Sequence, residues 1–187
     1  MIDFHAHYLP EDWPNDNPNW PYIKCVDDQY LYIQPRGNPV NIPRELFTLE
    51  DRLAKMDEDG VEQQVISAPP FTYTYNLEGK TSVGVCHHIN NAIAEAVSLN
   101  ARLIGLGTLP LQDIPASVEE IKRIKGEGLK GVTIGTSVNG KNLDDPALYP
   151  VWEELLKFNM PILLNSFGGI GSDRLEKYSL GNLRQWI

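Results

Sequence analysis

From Leu49 onward the chain alternates short apolar runs with amphipathic stretches. Leu49, Leu53, Met56 and Val61 recur at helical spacing, and Gly60 supplies the left-handed stop that commonly ends a helix. Residues 64–68 then read as a buried strand halted by Pro69-Pro70. The spacing predicts a long helix over residues 82–99, with Val85, Ile89, Ile93, Ala96 and Val97 on its apolar face. Residues 103–109 are the next strand. A helix follows, with Pro115 near its start and Val118, Ile121 and Ile124 turned inward. Residues 131–135 are another strand, and residues 146–158 a helix whose buried stripe is Leu148, Val151, Trp152, Leu155 and Leu156. Residues 161–165 read as a fifth strand, and residues 174–186 as one more helix.

The first strand lies at the amino terminus, where Met1-Ile2-Asp3-Phe4 leads into His5-Ala6-His7. Imidazoles at i and i+2 of a strand share a face, so the pair can reach one metal ion if other donors converge there. Only four histidines occur in the chain, and two are placed here. Residues 8–48 break the alternation and are rich in Pro, Asn, Asp and aromatics. Within them, residues 29–34 predict a small strand closed by the turn Pro35-Arg36-Gly37-Asn38. A stretch this long inside a domain is usually a lid or an insertion. The expected organisation is a single domain over 1–187 with an insertion at 8–48.

Near-continuous apolar strands alternating with amphipathic helices indicate an α/β fold whose parallel sheet is buried on both faces. At roughly 30 residues per strand-plus-helix unit, the chain outside the insertion supplies about five units. An eight-stranded barrel needs about 250 residues. The expectation is a partial TIM-type (β/α) barrel of about five parallel strands with flanking helices.

Composition narrows the partners. Acidic residues number 25 against 16 basic ones, a net charge of −9 without a lysine or arginine cluster, which disfavours nucleic acid. Cys25 and Cys86 lie far apart and show no ligand or disulfide spacing, so two free thiols in a reducing compartment are expected. No stretch reaches transmembrane length, so no membrane is expected. The first strand begins at Met1 with no leader ahead of it, and a cytoplasmic location follows as the expectation.

Several segments, taken in order, carry a family likeness: Ile2-Asp3-Phe4-His5-Ala6-His7-Tyr8-Leu9-Pro10; Arg52 through Val65; Gly107-Thr108-Leu109-Pro110-Leu111-Gln112-Asp113; and Leu129 through Thr136, followed by Asn142-Leu143-Asp144-Asp145-Pro146. Their succession resembles the amidohydrolase superfamily, and within it the branch of aminocarboxymuconate-semialdehyde decarboxylase. The polymerase-and-histidinol-phosphatase family opens on a similar histidine pair but does not share the later segments. The resemblance implies a TIM-type barrel with its site at the carboxyl ends of the strands. It implies a divalent metal, zinc foremost, held by the first-strand pair His5 and His7, by a histidine ending strand five, and by an aspartate of strand eight. A histidine of strand six assists. Asn165 stands where the strand-five histidine would be, and the strand-six and strand-eight residues have no counterpart. Arg44 falls roughly where family members carry an arginine for the substrate carboxylate.

The remaining candidates read as structural. His87 and His88 are adjacent on a helix, about 100° apart, and cannot chelate together. Asp3 is expected on the histidine face but deeper, Gly168-Gly169-Ile170-Gly171 as a loop, and Asp144-Asp145-Pro146 as a helix cap. The functional expectation is a metal-dependent hydrolase or carboxy-lyase acting on a small carboxylate or cyclic substrate, with weak or absent activity in this chain alone. The alternative is a non-catalytic relative acting as a self-associating module. Either way, edge strands without neighbours predict a homodimer or higher homo-oligomer.

Overall fold

The structure is a computed structural model, and it describes residues 1–14, 18–34, 38–77 and 79–166. Along the chain run β1 (Ile2–His7), β2 (Tyr22–Val26), β3 (Gln29–Ile33), β4 (Val40–Ile42), α1 (Leu49–Glu58), β5 (Gln63–Ser67), α2 (Gly79–Leu99) and β6 (Leu103–Gly107). They are followed by α3 (Ile114–Gly126), β7 (Gly131–Ile134), β8 (Ser137–Val138), β9 (Lys141–Asn142), α4 (Tyr149–Lys157) and β10 (Ile162–Leu164). The apolar runs form one sheet in the order β1-β5-β6-β7-β10, every neighbour parallel. Spatial order equal to chain order is the one-directional curl of a barrel rather than a doubly wound sheet. The five strands make a curled half-barrel with helices on its outer side.

Each helix starts and stops where local chemistry dictates. Asp113 accepts the amide of Ala116 and caps α3, with Pro115 in its first turn. Gly60, at φ +66°, turns the chain from α1 into β5. Helices and sheet meet closely at two glycines of β6. A Cβ on Gly105 would lie 2.5 Å from Leu129 and 2.8 Å from Ile93, and one on Gly107 would lie 2.7 Å from Ile124. The outer side therefore carries Leu103, Gly105 and Gly107, packed on Ile89, Ile93, Ile121 and Ile124, all fully buried. Ile104 and Leu106 alternate to the inner side.

A register shift sits in β1. Asp3 pairs with Gln64 but Ala6 pairs with Ile66, so β1 holds one residue more than β5 across the same interval. Gln64 lies opposite Leu103 and so belongs to the outer side. Asp3 is turned there with it and accepts from Gln64 Nε2 at 2.8 Å. Arg52 of α1 completes the connection. It donates to Gln64 Oε1 at 2.6 Å and to the carbonyl of His7, and it lies 5.4 Å from the Tyr8 ring. Burial pulls this guanidinium down to about 10.

Three expectations are corrected. The insertion contains one predicted strand but forms three, an antiparallel sheet β2-β3-β4. Most of β2 is exposed on both faces, so it carries no alternation to read. Leu156 is not in the buried stripe of α4, being 78% exposed, because Val151 and Leu155 set the inward face and Leu156 lies about 100° beyond it. Asp3 does not share the histidine face, since the extra residue in β1 breaks strict alternation. The helix expected at 174–186 and the Gly168–Gly171 loop lie outside the described residues.

Two predictions follow from this packing. Replacing Arg52 with Met leaves Gln64 and the His7 carbonyl without their donor and should cost about 2–4 kcal/mol in urea unfolding; a loss below about 0.5 kcal/mol would show that the guanidinium is not structural. Cys86 is buried and its thiol is pushed up to about 12 by desolvation, whereas Cys25 is exposed. In the native protein Cys25 alone should react with a disulfide reagent, and Cys86 only after denaturant is added. Fast reaction of both would contradict the packing of α2.

Candidate metal centre

His5 and His7 end β1 at the carboxyl edge of the half-barrel. Their rings meet edge to face, with centroids 4.9 Å apart and planes at 88°. They share a face as their spacing predicts. Across the mouth, 160 residues later in sequence, Asn165 joins them: its side-chain Nδ2 lies 3.0 Å from His5 Nε2. Asn165 is only 5% exposed, and its backbone amide donates to the Ile134 carbonyl at 2.9 Å, which extends β10 by one residue along β7. The position expected to hold the third ligand does face the histidine pair.

His7 is the more enclosed imidazole. Burial lowers it to about 4, with the nearby His5 adding in the same direction and the Ser67 backbone opposing. It therefore stands as a neutral base at ordinary pH. Its Nδ1 is buried and has no hydrogen-bond partner among the described residues. Such an orphan is uncommon and calls for an absent water, ion or ligand. Two imidazoles converging beside an unpartnered nitrogen suit a divalent ion. Among the described residues no cluster of three His, Cys, Asp or Glu side chains accompanies them. The donors present thus fit part of a coordination shell, two imidazoles and an amide, with the rest left to water or substrate.

Other candidates fall elsewhere. Arg44 is exposed, pairs with Asp51 at 3.1 Å and lies 6.0 Å from the Tyr30 ring. It borders a groove of about 480 Å³ lined by Asp28, Gln29, Asn41 and Ile42, none of which belongs to the histidine pair's surroundings. His87 meets the buried Glu120 at 2.9 Å, whereas His88 bonds the Asp12 carbonyl at 2.6 Å and packs on Trp13 and Trp20. The two point to different partners, as their helical spacing requires. Asp145 accepts the Ala147 amide at 2.9 Å and caps the turn that opens α4.

The sequence reading passed over a set of hydroxyls at the same end of the barrel. Tyr73 and Tyr75, on the segment after β5, stack with centroids 5.5 Å apart. Tyr73 Oη lies 3.0 Å from Thr133 Oγ1, and Tyr75 Oη accepts the Gly135 amide at 3.0 Å. Thr136 and Ser166, which follow β7 and β10, each carry a buried hydroxyl without a partner. The available signal was the alternation Phe71-Thr72-Tyr73-Thr74-Tyr75, which reads as a strand continuing past Pro70 and is in fact a 3₁₀ turn and loop.

Comparison with known proteins agrees with this geometry. The family model described as amidohydrolase matches residues 2–179. A 2-amino-3-carboxymuconate-6-semialdehyde decarboxylase of Dictyostelium discoideum is 34% identical over 190 residues, covering 96% of this chain and 52% of that protein. The crystal structure of the Metarhizium anisopliae IDCase in apo form shares the fold, with a TM-score of 0.74 at 21% identity over 94% of this chain and 52% of the other. A 5-carboxyvanillate decarboxylase of Novosphingobium aromaticivorans, solved with manganese and 4-hydroxy-3-methoxy-5-nitrobenzoic acid, superposes with a TM-score of 0.68 at 25% identity, over 73% of this chain and 40% of that one. The chain spans about half the length of the curated relatives it matches. The ordered half-barrel, the histidine pair at its mouth and the family match over nearly the whole chain lead to one conclusion: the chain belongs to the amidohydrolase family.

Proposed function

We propose that this chain supplies the amino-terminal part of a metal-dependent carboxy-lyase site, in which His5 and His7 hold a divalent ion and the substrate is a small planar carboxylate. One observation carries the reading: a half-buried His7, whose Nδ1 is enclosed and unpartnered among the described residues, stands beside His5 at the carboxyl mouth of the sheet. The relatives support decarboxylation over hydrolysis, because the curated ones matched are named as decarboxylases. Zinc is the ion that imidazole donors favour, whereas manganese is the one bound in a structural neighbour.

When bound, the ion would polarise a substrate carboxylate or carbonyl oxygen. The chain's own residues set the stage for that. Desolvation disfavours the second proton on the His7 imidazole, so one ring nitrogen keeps its lone pair available near neutral pH. Arg52 fixes the His7 backbone from behind. Asn165 engages His5 Nε2, so an ion using that nitrogen must displace the amide or turn its carbonyl oxygen inward. For Arg44 to bind a substrate carboxylate, that carboxylate must replace Asp51. The same reading takes a small molecule rather than nucleic acid as the ligand. A cytoplasmic setting goes with the two free cysteines; no helix among the described residues is long and apolar enough to cross a membrane.

Metal analysis after dialysis against zinc or manganese tests the proposal. Stoichiometric metal is expected in the wild-type chain and its loss in His5→Ala, while chelator should lower the melting temperature of the first and not the second. Asn165→His should tighten binding by about tenfold or more, adding a third imidazole. No metal in the wild type, or no gain from Asn165→His, would end the reading.

A second reading, self-association, rests on the open edges. Ile2 and Phe4 of β1 and Ile162 and Leu164 of β10 are exposed, Phe4 to 64%, on strands that each lack a neighbour on one side among the described residues. Sedimentation at micromolar concentration should show a dimer that Phe4→Glu dissociates. A wild-type monomer would remove this idea.

A further inference from the structure

Opposite the imidazoles, the inner wall of the mouth is built from β7 and the segment that follows β5. Leu106 lies opposite Gly131, and Leu163 lies opposite Thr133. Gly131, Thr133 and Gly135 therefore line the inner side together with Leu163 and Asn165, because alternate residues of a strand share a face. Asn165 reaches His5 from this wall. Thr133 is one residue before Ile134, whose carbonyl takes the Asn165 amide, so its hydroxyl and the histidine pair belong to the same mouth.

Two tyrosine rings close over this stretch. A Cβ on Gly135 would come within 3.1 Å of Tyr75 Cε2 and 3.5 Å of Tyr73 Cδ2, so glycine leaves the space both rings occupy. The Tyr75 hydroxyl accepts the Gly135 amide and anchors the pair. Tyr73 remains partly exposed, with its hydroxyl 3.0 Å from Thr133 Oγ1. Two hydroxyls carry two protons, and their mutual bond uses one. The second has no acceptor among the described contacts, although Thr133 is fully buried. The hydroxyls of Thr136 and Ser166, just beyond the same strands, are likewise buried without partners. The surplus O–H donor of the Tyr73–Thr133 pair, on the same inner side as Asn165, is complementary to an anionic oxygen.

We propose that the Tyr73–Thr133 hydroxyl pair donates its free proton to a carboxylate oxygen of the substrate, and so positions a planar acid against the β7 wall opposite His5 and His7. This rests on the carboxylate-binding site proposed above and names residues that site did not include. Tyr73 and Thr133 are positioning residues: they hold the acid group, while the carbon–carbon bond that breaks is not assigned to them.

The probe is 4-hydroxy-3-methoxy-5-nitrobenzoic acid, followed by its visible absorbance, beside 2-methoxy-6-nitrophenol, which is the same ring without the carboxyl group. The manganese-loaded chain should bind the acid at least about tenfold more tightly than the phenol, the span expected of one charge-assisted hydrogen bond. Thr133→Val keeps the shape and removes one hydroxyl; Tyr73→Phe keeps the stack and removes the other. Each should weaken acid binding about fivefold or more while leaving the phenol within about twofold, and the double variant should lose little beyond either single one. Thermal melting checks that the variants fold. Variants that bind the acid as the wild type does, or that lose both ligands equally, overturn the proposal, as does a wild type with no preference for the acid. Metal content measured on the same samples separates the two readings. Metal bound with no acid preference sinks the hydroxyl pair alone, whereas absence of metal removes the parent reading and this one with it.

Discussion

The arrangement of the mouth depends on the connection that Arg52 makes between α1, β1 and β5. The guanidinium is buried, it bonds Gln64 and the His7 carbonyl, and Gln64 in turn holds Asp3. The extra residue in β1 would otherwise leave a strand free to slip, and a slip of one position would carry both histidines to the other face. With Asp3 tied to the outer side, His5 and His7 stay on the inner one. A buried cation is costly unless its donors are matched, and removing this one would leave Gln64 and the His7 carbonyl unpaired.

That constraint gives the histidine pair its chemistry. Arg52 holds the strand from behind, and desolvation of the half-buried His7 ring lowers its pKa. The same enclosure leaves its Nδ1 without a partner. Asn165 answers part of the need by bonding the other imidazole, which is why the site is coherent with protein atoms alone yet remains short of donors. An amide is a weaker donor to a divalent ion than an imidazole, and the sheet still brings residue 165 across the mouth.

Most of the barrel architecture was legible in the chain. The strands at 64–68, 103–109, 131–135 and 161–165 appear within a few residues of β5, β6, β7 and β10, because each is a short apolar run bounded by Pro or Gly. The insertion was less so. Its strand β2 is largely exposed and β4 is only three residues long, and their pairing comes from neighbours rather than from an apolar pattern. Leu156 was misplaced because a helix of nine residues buries a narrow stripe, and one more leucine in the sequence does not widen it.

Local pattern alone puts His5 and His7 on one face, stops a helix at Gly60, starts another near Pro115 and closes the fifth barrel strand at residue 165. Those are matters of local geometry and of periods of two and 3.6 residues. Only the tertiary structure decided that Asp3 leaves the histidine face, since a bulge is a mismatch between two strands and exists in neither alone. It also decided that Asn165 lies 3.0 Å from His5, and that Tyr73 meets Thr133 across 60 residues of chain. Contacts of that kind arise from the curl of the sheet, which brings remote strand ends to one mouth and has no trace in any local pattern.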